Sequence, residues 1–252
     1  MTTASRTDQS ASALLAGLAA ERATGALSTG SGIVYLSDGH VVHVESAFTP
    51  DLGTLLIGGG ALAPDGWRDA VDRAGARNRV GRHLVDSGHL SAGALELAHL
   101  GALFDAAYFA LAHDAPAVRF RRGAAHWLGA VRPVPADTVL RESRRRRALL
   151  GRIWPEPAVD TAPLARAPGA DPAGLPARRR RTLAQVDGVR TAAQIAAHLA
   201  CRTFHTLVEL RRLAADGLVI PEPQPRERPA APPPDEPDTA LLRRLLHALE
   251  AL

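Results

Sequence analysis

The sequence contains one cysteine and no lysine, so all 30 of its basic residues are arginine. Cys201 alone provides neither a disulfide framework nor a cysteine-based metal site, which is typical of a reducing compartment. No stretch approaches the roughly 20 consecutive apolar residues that a membrane-spanning helix needs. The first 12 residues also lack the charged start and the apolar run of a secretory signal. These absences predict a soluble, cytoplasmic protein that does not bind membranes.

The motifs of the common enzyme classes are absent as well. The nucleophile-elbow, zinc-protease, P-loop and dinucleotide-binding patterns do not occur. The ten histidines are scattered. His40 could approach His43, and His83 could approach His89, but neither pair has a cysteine or carboxylate companion in the sequence pattern. The sequence therefore predicts no catalytic residue, no metal ligand, no cofactor and no small-molecule substrate.

The clearest local pattern lies in residues 24–46, TGALSTGSGIVYLSDGHVVHVES. It contains three short extended runs, separated by glycine-rich breaks, at 25–28, 33–37 and 40–45. Asp38-Gly39 is a strong hairpin signal because both residue types tolerate a positive φ. The runs are apolar on both faces, as in strands that helices cover. The pattern predicts an α+β fold in which a small antiparallel β-meander is flanked by several helices.

Residues 10–125 resemble the PATAN-type domain of bacterial response regulators and development regulators. The resemblance rests on TGAL, GIVYLSDGHVVHVES, LGTLLIGGG and GRHLVDSGHLS, in that order along the chain. It implies a protein-interaction module of signal transduction. The resemblance brings no catalytic residue with it.

Proline and charge divide the chain further. The segment 155–177 contains six prolines and the segment 221–237 contains eight, which is typical of extended linkers. We therefore expect a flexible N-terminus at 1–10, a PATAN-like α/β interaction domain at 11–154, a linker at 155–177, a winged-helix-like domain at 178–220, a linker at 221–237 and an amphipathic helix at 238–252. Residues 178–220 hold eight arginines against three acidic residues. This local surplus favours a polyanion or an acidic protein as the partner.

The segment 178–220 resembles a short winged-helix-like α domain. Its pattern predicts three helices and a terminal strand, with a capping box of Thr191 and Gln194 at the start of the second helix. The third helix covers about 203–216. The words VDGVRTAAQIA and VELRRLAADGLV are the specific part of this likeness.

In a DNA-binding winged helix, the third helix enters the major groove. A helical wheel directs Arg202, His205, Thr206, Glu209, Arg212 and Asp216 outward. Two arginines against two acids do not form a strongly cationic face, and the chain lacks a basic wing for phosphate contacts. The candidate DNA-binding residues are Arg178, Arg179, Arg180, Arg181, Arg202, His205, Thr206 and Arg212. Direct DNA binding and protein binding alone are both open alternatives for this segment.

The last predicted helix carries a single apolar stripe, formed by Leu242, Leu245, Leu246, Leu249 and Leu252. About 12 residues are marginal as an isolated helix, so we expect this one to gain order by docking. Its own chain, a partner protein or a second copy could provide the surface.

Together these features predict a non-enzymatic bacterial regulatory protein. The leading interpretation is a transcriptional regulator or adaptor that combines a protein-interaction module with a winged-helix-like module. The alternative is a signalling scaffold that binds only proteins.

Overall fold

The computed structural model describes residues 10–112 and 117–222, which form a mixed α+β fold. The strands of the larger sheet are β1 (Gly25–Thr29), β2 (Gly32–Ser37), β3 (His40–Ser46), β4 (Ala117–Arg122) and β5 (Val134–Pro135). They lie in the order β4-β1-β2-β3-β5, and every neighbouring pair is antiparallel. Asp38 and Gly39 have φ values of +48° and +79° at the turn between β2 and β3. The predicted hairpin is therefore confirmed.

Ten α-helices lie in the described residues. They are α1 (Ala11–Ala20), α2 (Leu52–Gly58), α3 (Pro64–Ala74), α4 (Val80–Asp86), α5 (Ala92–Ala110), α6 (Ala136–Ile153), α7 (Ala158–Thr161), α8 (Ala177–Leu183), α9 (Ala192–His198) and α10 (Thr203–Ala215). Pro64 begins α3. The capping box of Thr191 and Gln194 begins α9, as predicted. None of the helices in 10–112 and 117–222 combines the length and the apolar character needed to cross a membrane.

Helix α5 lies at the centre of the molecule, because it contributes to three apolar clusters. Leu103 packs with the sheet, α1 and α6. Leu95 packs with α2, α3 and α4. Tyr108 and Phe109 pack against the cluster that α6 to α10 form. A helix that contacts core on every side must be apolar all round rather than along one stripe, which accounts for the many alanines and leucines of α5.

Strands β6 (Leu164–Arg166) and β7 (Val219–Pro221) form a separate antiparallel pair that brackets α8, α9 and α10 in the sequence. The proline-rich segment 155–177 thus contains α7 and β6. Val159 and Leu164 of these elements have no exposed surface and belong to the same apolar cluster as α10. The domain boundaries stay a prediction. Most of the second expected linker, and the whole predicted helix at 238–252, lie outside the described residues.

A buried carboxylate joins α5 to α10. Asp105 is 1% exposed, and its two oxygens accept hydrogen bonds from the backbone amides of Thr203, at 2.7 Å, and Phe204, at 2.8 Å. The Thr203 hydroxyl also donates to the carbonyl of Phe48, at 2.9 Å. The first amides of a helix have no partner within the helix, and Arg202 at the N-cap of α10 provides none. Asp105 therefore caps α10 from a helix almost 100 residues earlier.

Candidate functional site

A pocket of about 210 Å³ opens beside strand β3. Its floor includes His43 and Glu45 from β3 and His126 from the segment before β5, and its walls include the indole rings of Trp67 and Trp127. The two indoles meet edge to face, with ring centroids 5.7 Å apart. A bulge in β3 lets Tyr35 of β2 pair with His43, while the next residue of β2 pairs with Val41. Bulges of this kind redirect side chains and are frequent beside functional sites.

His43 also contacts a second buried histidine, His99, which does not line the pocket. His43 Nδ1 lies 3.3 Å from Nε2 of His99, which comes from α5 and has no exposed surface. Burial and, to a smaller extent, the adjacent rings of His126 and His99 lower the pKa of His43 to about 2. Burial also lowers the pKa of His99 to about 4, against the opposite effect of the Val42 carbonyl. Both rings are therefore neutral at physiological pH.

The second ring nitrogen of His99, Nδ1, makes no hydrogen bond of good geometry in the described part of the chain, although the Val42 carbonyl lies near the ring. Buried polar atoms without a partner are rare in native proteins, because burial removes the water that would otherwise satisfy them. Packing β3 against α5 through two imidazole rings therefore costs more free energy than packing through apolar side chains would.

A hydrogen-bonded network holds Glu45 at the edge of the pocket. His126 Nε2 lies 2.8 Å from one Glu45 oxygen, and the Tyr35 hydroxyl donates to the other at 3.2 Å. The Leu128 amide donates to His126 Nδ1, at 3.2 Å. A neutral ring that accepts at Nδ1 carries its proton on Nε2, so His126 donates to Glu45. This hydrogen bond lowers the pKa of Glu45, while burial and the charge of Glu45 raise the pKa of Tyr35 to about 12.

The three side chains of the floor lie close enough to share one ligand. The rings of His43 and His126 stack with their centroids 3.9 Å apart and their planes inclined by 17°. One ligand atom from each of His43, Glu45 and His126 lies within 4.8 Å of the others. Two imidazole nitrogens and a carboxylate oxygen are a donor set that divalent transition metals accept.

The four arginines of α8, which are candidate DNA-binding residues, differ in their exposure and in their ion pairs. Arg178, Arg180 and Arg181 are exposed, while Arg179 is partly buried and pairs with Asp216 at 2.8 Å. Arg178 and Arg179 both approach Glu209 of α10, at 3.8 and 3.5 Å. Glu209 also attracts Arg212 at 3.4 Å. Part of the local positive charge is thus balanced within the molecule.

Helix α10 presents only part of the face that the helical wheel predicts. Thr206 and Glu209 were expected outward, and this orientation is wrong, because they are only 2% and 7% exposed. The wheel assumes a single packed face, whereas α10 contacts α5, α6, α7, α8, α9 and β7. Arg202 points toward α5 and its guanidinium fills the space beside Gly101. Arg212 is exposed on the far end of the helix.

Four of the candidate residues meet at one cavity of about 400 Å³ between α8 and α10. They are Arg178, Arg181, His205 and Thr206. Cys201 also lines this cavity, and its sulfur lies 3.2 Å from the Thr206 hydroxyl. Burial lowers the pKa of His205 to about 4, and the charges of Arg202 and Arg178 lower it too. The leucine stripe of Leu242, Leu245, Leu246, Leu249 and Leu252 lies outside the described residues.

Sequence reasoning missed the histidine pocket. Glu45 and His126 are 81 residues apart, and His43 and His99 are 56 residues apart, so no local spacing links them. The one local signal is the alternation of His43 and Glu45, which directs both side chains to one face of β3. Comparisons of the chain with protein-family models, with curated proteins and with solved structures give no match.

Proposed function

We propose that this chain is a non-enzymatic bacterial regulatory protein of the cytoplasm that acts by binding a partner protein. The likeness of residues 10–125 to the PATAN-type domain favours a signalling role. The observation that carries the proposal is the position of α10. Its first turn is bound to Asp105 of α5 and to the Phe48 carbonyl, so it is directed into the molecule.

This position favours protein binding over DNA reading for the winged-helix-like segment. The N-terminal residues of a recognition helix contact the base edges in helix-turn-helix complexes. In this chain the corresponding residues, Thr203 and Phe204, are 1% and 6% exposed. Reaching a base would require α10 to break its contacts with α5.

An apolar groove of about 340 Å³ is the surface best suited to the partner. Phe48 is 45% exposed at its edge and stacks on Phe109, with ring centroids 5.6 Å apart. Tyr108 adds apolar surface, and Arg147 and Asp160 place one charge of each sign on the lining. Aromatic anchors with a few polar groups around them are typical of protein-binding sites. We propose an amphipathic helix of the partner as the occupant, held by its apolar stripe.

Crosslinking at the groove tests this proposal in the source cell. A photoreactive amino acid in place of Phe48 should trap one partner protein. The same photoreactive residue in place of Val189, which is 74% exposed and does not line the groove, should not trap that protein. Equal trapping from both positions would count against the groove.

Direct DNA binding is the second candidate, because Arg178, Arg180 and Arg181 are exposed on α8. The full chain should be titrated with duplex DNA at low and moderate salt. The matched variants replace these three arginines, or Arg141, Arg144 and Arg145 of α6, with alanine. Protein binding alone predicts weak DNA binding that both variants reduce equally. A steep loss with salt that is specific to the α8 variant would establish DNA binding instead.

A further inference from the structure

We propose that His43, Glu45 and His126 bind one divalent transition-metal ion, of the class of Zn²⁺, in the pocket beside β3. The proposal rests on the convergence of their ligand atoms within 4.8 Å, on two elements distant in sequence. Ligands of one ion at bonds of about 2.0–2.2 Å lie roughly 3–3.5 Å apart, so side-chain adjustments of about 1 Å suffice.

His43 is already arranged as a metal ligand would be. Its Nδ1 contacts His99 Nε2, which leaves its own Nε2 for the ion. With a metal on Nε2, the ring proton sits on Nδ1 and is donated to His99. Metal-binding histidines almost always donate their second nitrogen to such an outer partner, which fixes the ring. This gives the buried His99 a function as a positioning residue.

Glu45 and His126 would be bridged by the ion. Their atoms Oε1 and Nε2 are 2.8 Å apart and share a proton, which the metal would replace. His126 stays neutral if this proton moves to Nδ1, and the ring then loses its hydrogen bond from Leu128. The protonated Nδ1 then faces the Leu128 amide, donor against donor, which lowers the affinity by roughly 5- to 150-fold for a cost of about 1–3 kcal/mol. The Tyr35 hydroxyl remains on the other oxygen of Glu45.

The charge and shape of the pocket favour a cation. Glu45 has a side chain that is 42% exposed, so an ion can reach the floor through the cavity. Asp51 lines the same cavity and places a second negative charge near Glu45. No arginine lines the cavity among the residues that the structure describes. Free coordination positions would face the cavity.

Metal titration of the chelator-treated full chain tests the site. Calorimetry with Zn²⁺ should give one ion per chain, and Co²⁺ should give visible absorption bands. His99→Phe removes an outer partner and should weaken binding by roughly 10–100-fold. His43→Gln and His126→Gln each remove a ligand and should weaken binding at least as much. His40→Gln is the matched control, because His40 is exposed on the same strand. It should bind as the unmodified chain does.

Fluorescence gives a second readout of position. The ring centroids of Trp127 and His126 are 4.8 Å apart, so Co²⁺ bound in this pocket should quench tryptophan emission, and Trp127→Phe should reduce the quenched fraction. If the buried histidine variants fail to fold, Glu45→Gln decides the matter, since it keeps both rings in place. Absence of stoichiometric binding by the unmodified chain would overturn the proposal. So would equal affinity in Glu45→Gln or in the folded histidine variants.

Discussion

Replacing Asp105 with alanine should destabilise the protein more than any exposed carboxylate replacement. The change leaves two buried amides, of Thr203 and Phe204, without an acceptor, and removes the charge that lies 3.9 Å from Arg146. Each hydrogen bond to a charged group contributes about 1.5–3 kcal/mol. Burial opposes this, since it raises the pKa of Asp105 despite the two amides and Arg146. We therefore expect a net loss of about 3 kcal/mol in the free energy of unfolding.

Asp105→Asn removes the charge but keeps one acceptor oxygen, so it separates the contribution of the charge from that of the hydrogen bonds. Asparagine keeps one oxygen for one amide, so it should cost about 1–2 kcal/mol, less than alanine. Urea unfolding followed by far-ultraviolet circular dichroism measures both variants. Asp137→Asn is the control, because Asp137 is exposed in the first turn of α6 and should change stability by about 0.3–1 kcal/mol. Equal stability of Asp105→Ala and the unmodified chain would refute the capping role.

The pH dependence of the free energy of unfolding tests whether burial raises the pKa of Asp105. The folded pKa of Asp105 is raised above the unfolded value, so the stability linked to its protonation is fully present below the unfolded pKa. That stability is lost as the pH rises through the folded pKa. The advantage of the unmodified chain over Asp105→Asn should therefore narrow from acidic to neutral pH. An advantage that widens over this range would show that the amides and Arg146 outweigh burial.

Two further predictions concern the other contacts of the C-terminal helices. Gly58→Ala should cost about 1–3 kcal/mol in urea unfolding, because its Cβ would overlap that of Ala200, whereas Gly17→Ala in α1 meets no atom and should be neutral or slightly stabilising. His205 has a folded pKa of about 4, so its stabilising effect is present above the unfolded pKa of about 6.5 and is lost as the pH falls. Between about pH 7.5 and 5.5 the free energy of unfolding of the unmodified chain should fall by about 0.7 kcal/mol more than that of His205→Gln. This is half the full linkage value, because the ring is partly exposed and solvent screens it. A smaller loss in the unmodified chain than in His205→Gln would contradict this.

Local signals predicted local structure well. Asp38-Gly39 located a hairpin because only the turn geometry matters there, and Thr191 with Gln194 located a helix start for the same reason. The segment 155–177 was expected as a linker because of its prolines. Pro157 and Pro163 instead lie just before and just after the short helix α7, where a missing amide donor costs little.

Contacts between segments that are distant in the sequence could not be predicted from local sequence patterns. The outward orientation assigned to α10 was wrong at Thr206 and Glu209, because a helical wheel treats polar residues as exposed. A polar side chain can be buried when the fold provides a partner for it. The histidine pocket depends on the approach of His99 and His126 to β3, which only the tertiary fold establishes.

The hydrogen bonds of Asp105 also bear on how this chain could have been assembled during evolution. Domain boundaries usually fall in proline-rich linkers that few contacts cross, so a domain beyond such a linker can be transferred as an independent unit. Here a transferred segment starting at residue 178 would leave behind the carboxylate that caps α10, together with Val159 and Leu164 of its core. A recombined descendant would therefore need a host helix with an acidic residue at the matching position. The C-terminal helices and α5 are thus expected to be inherited together.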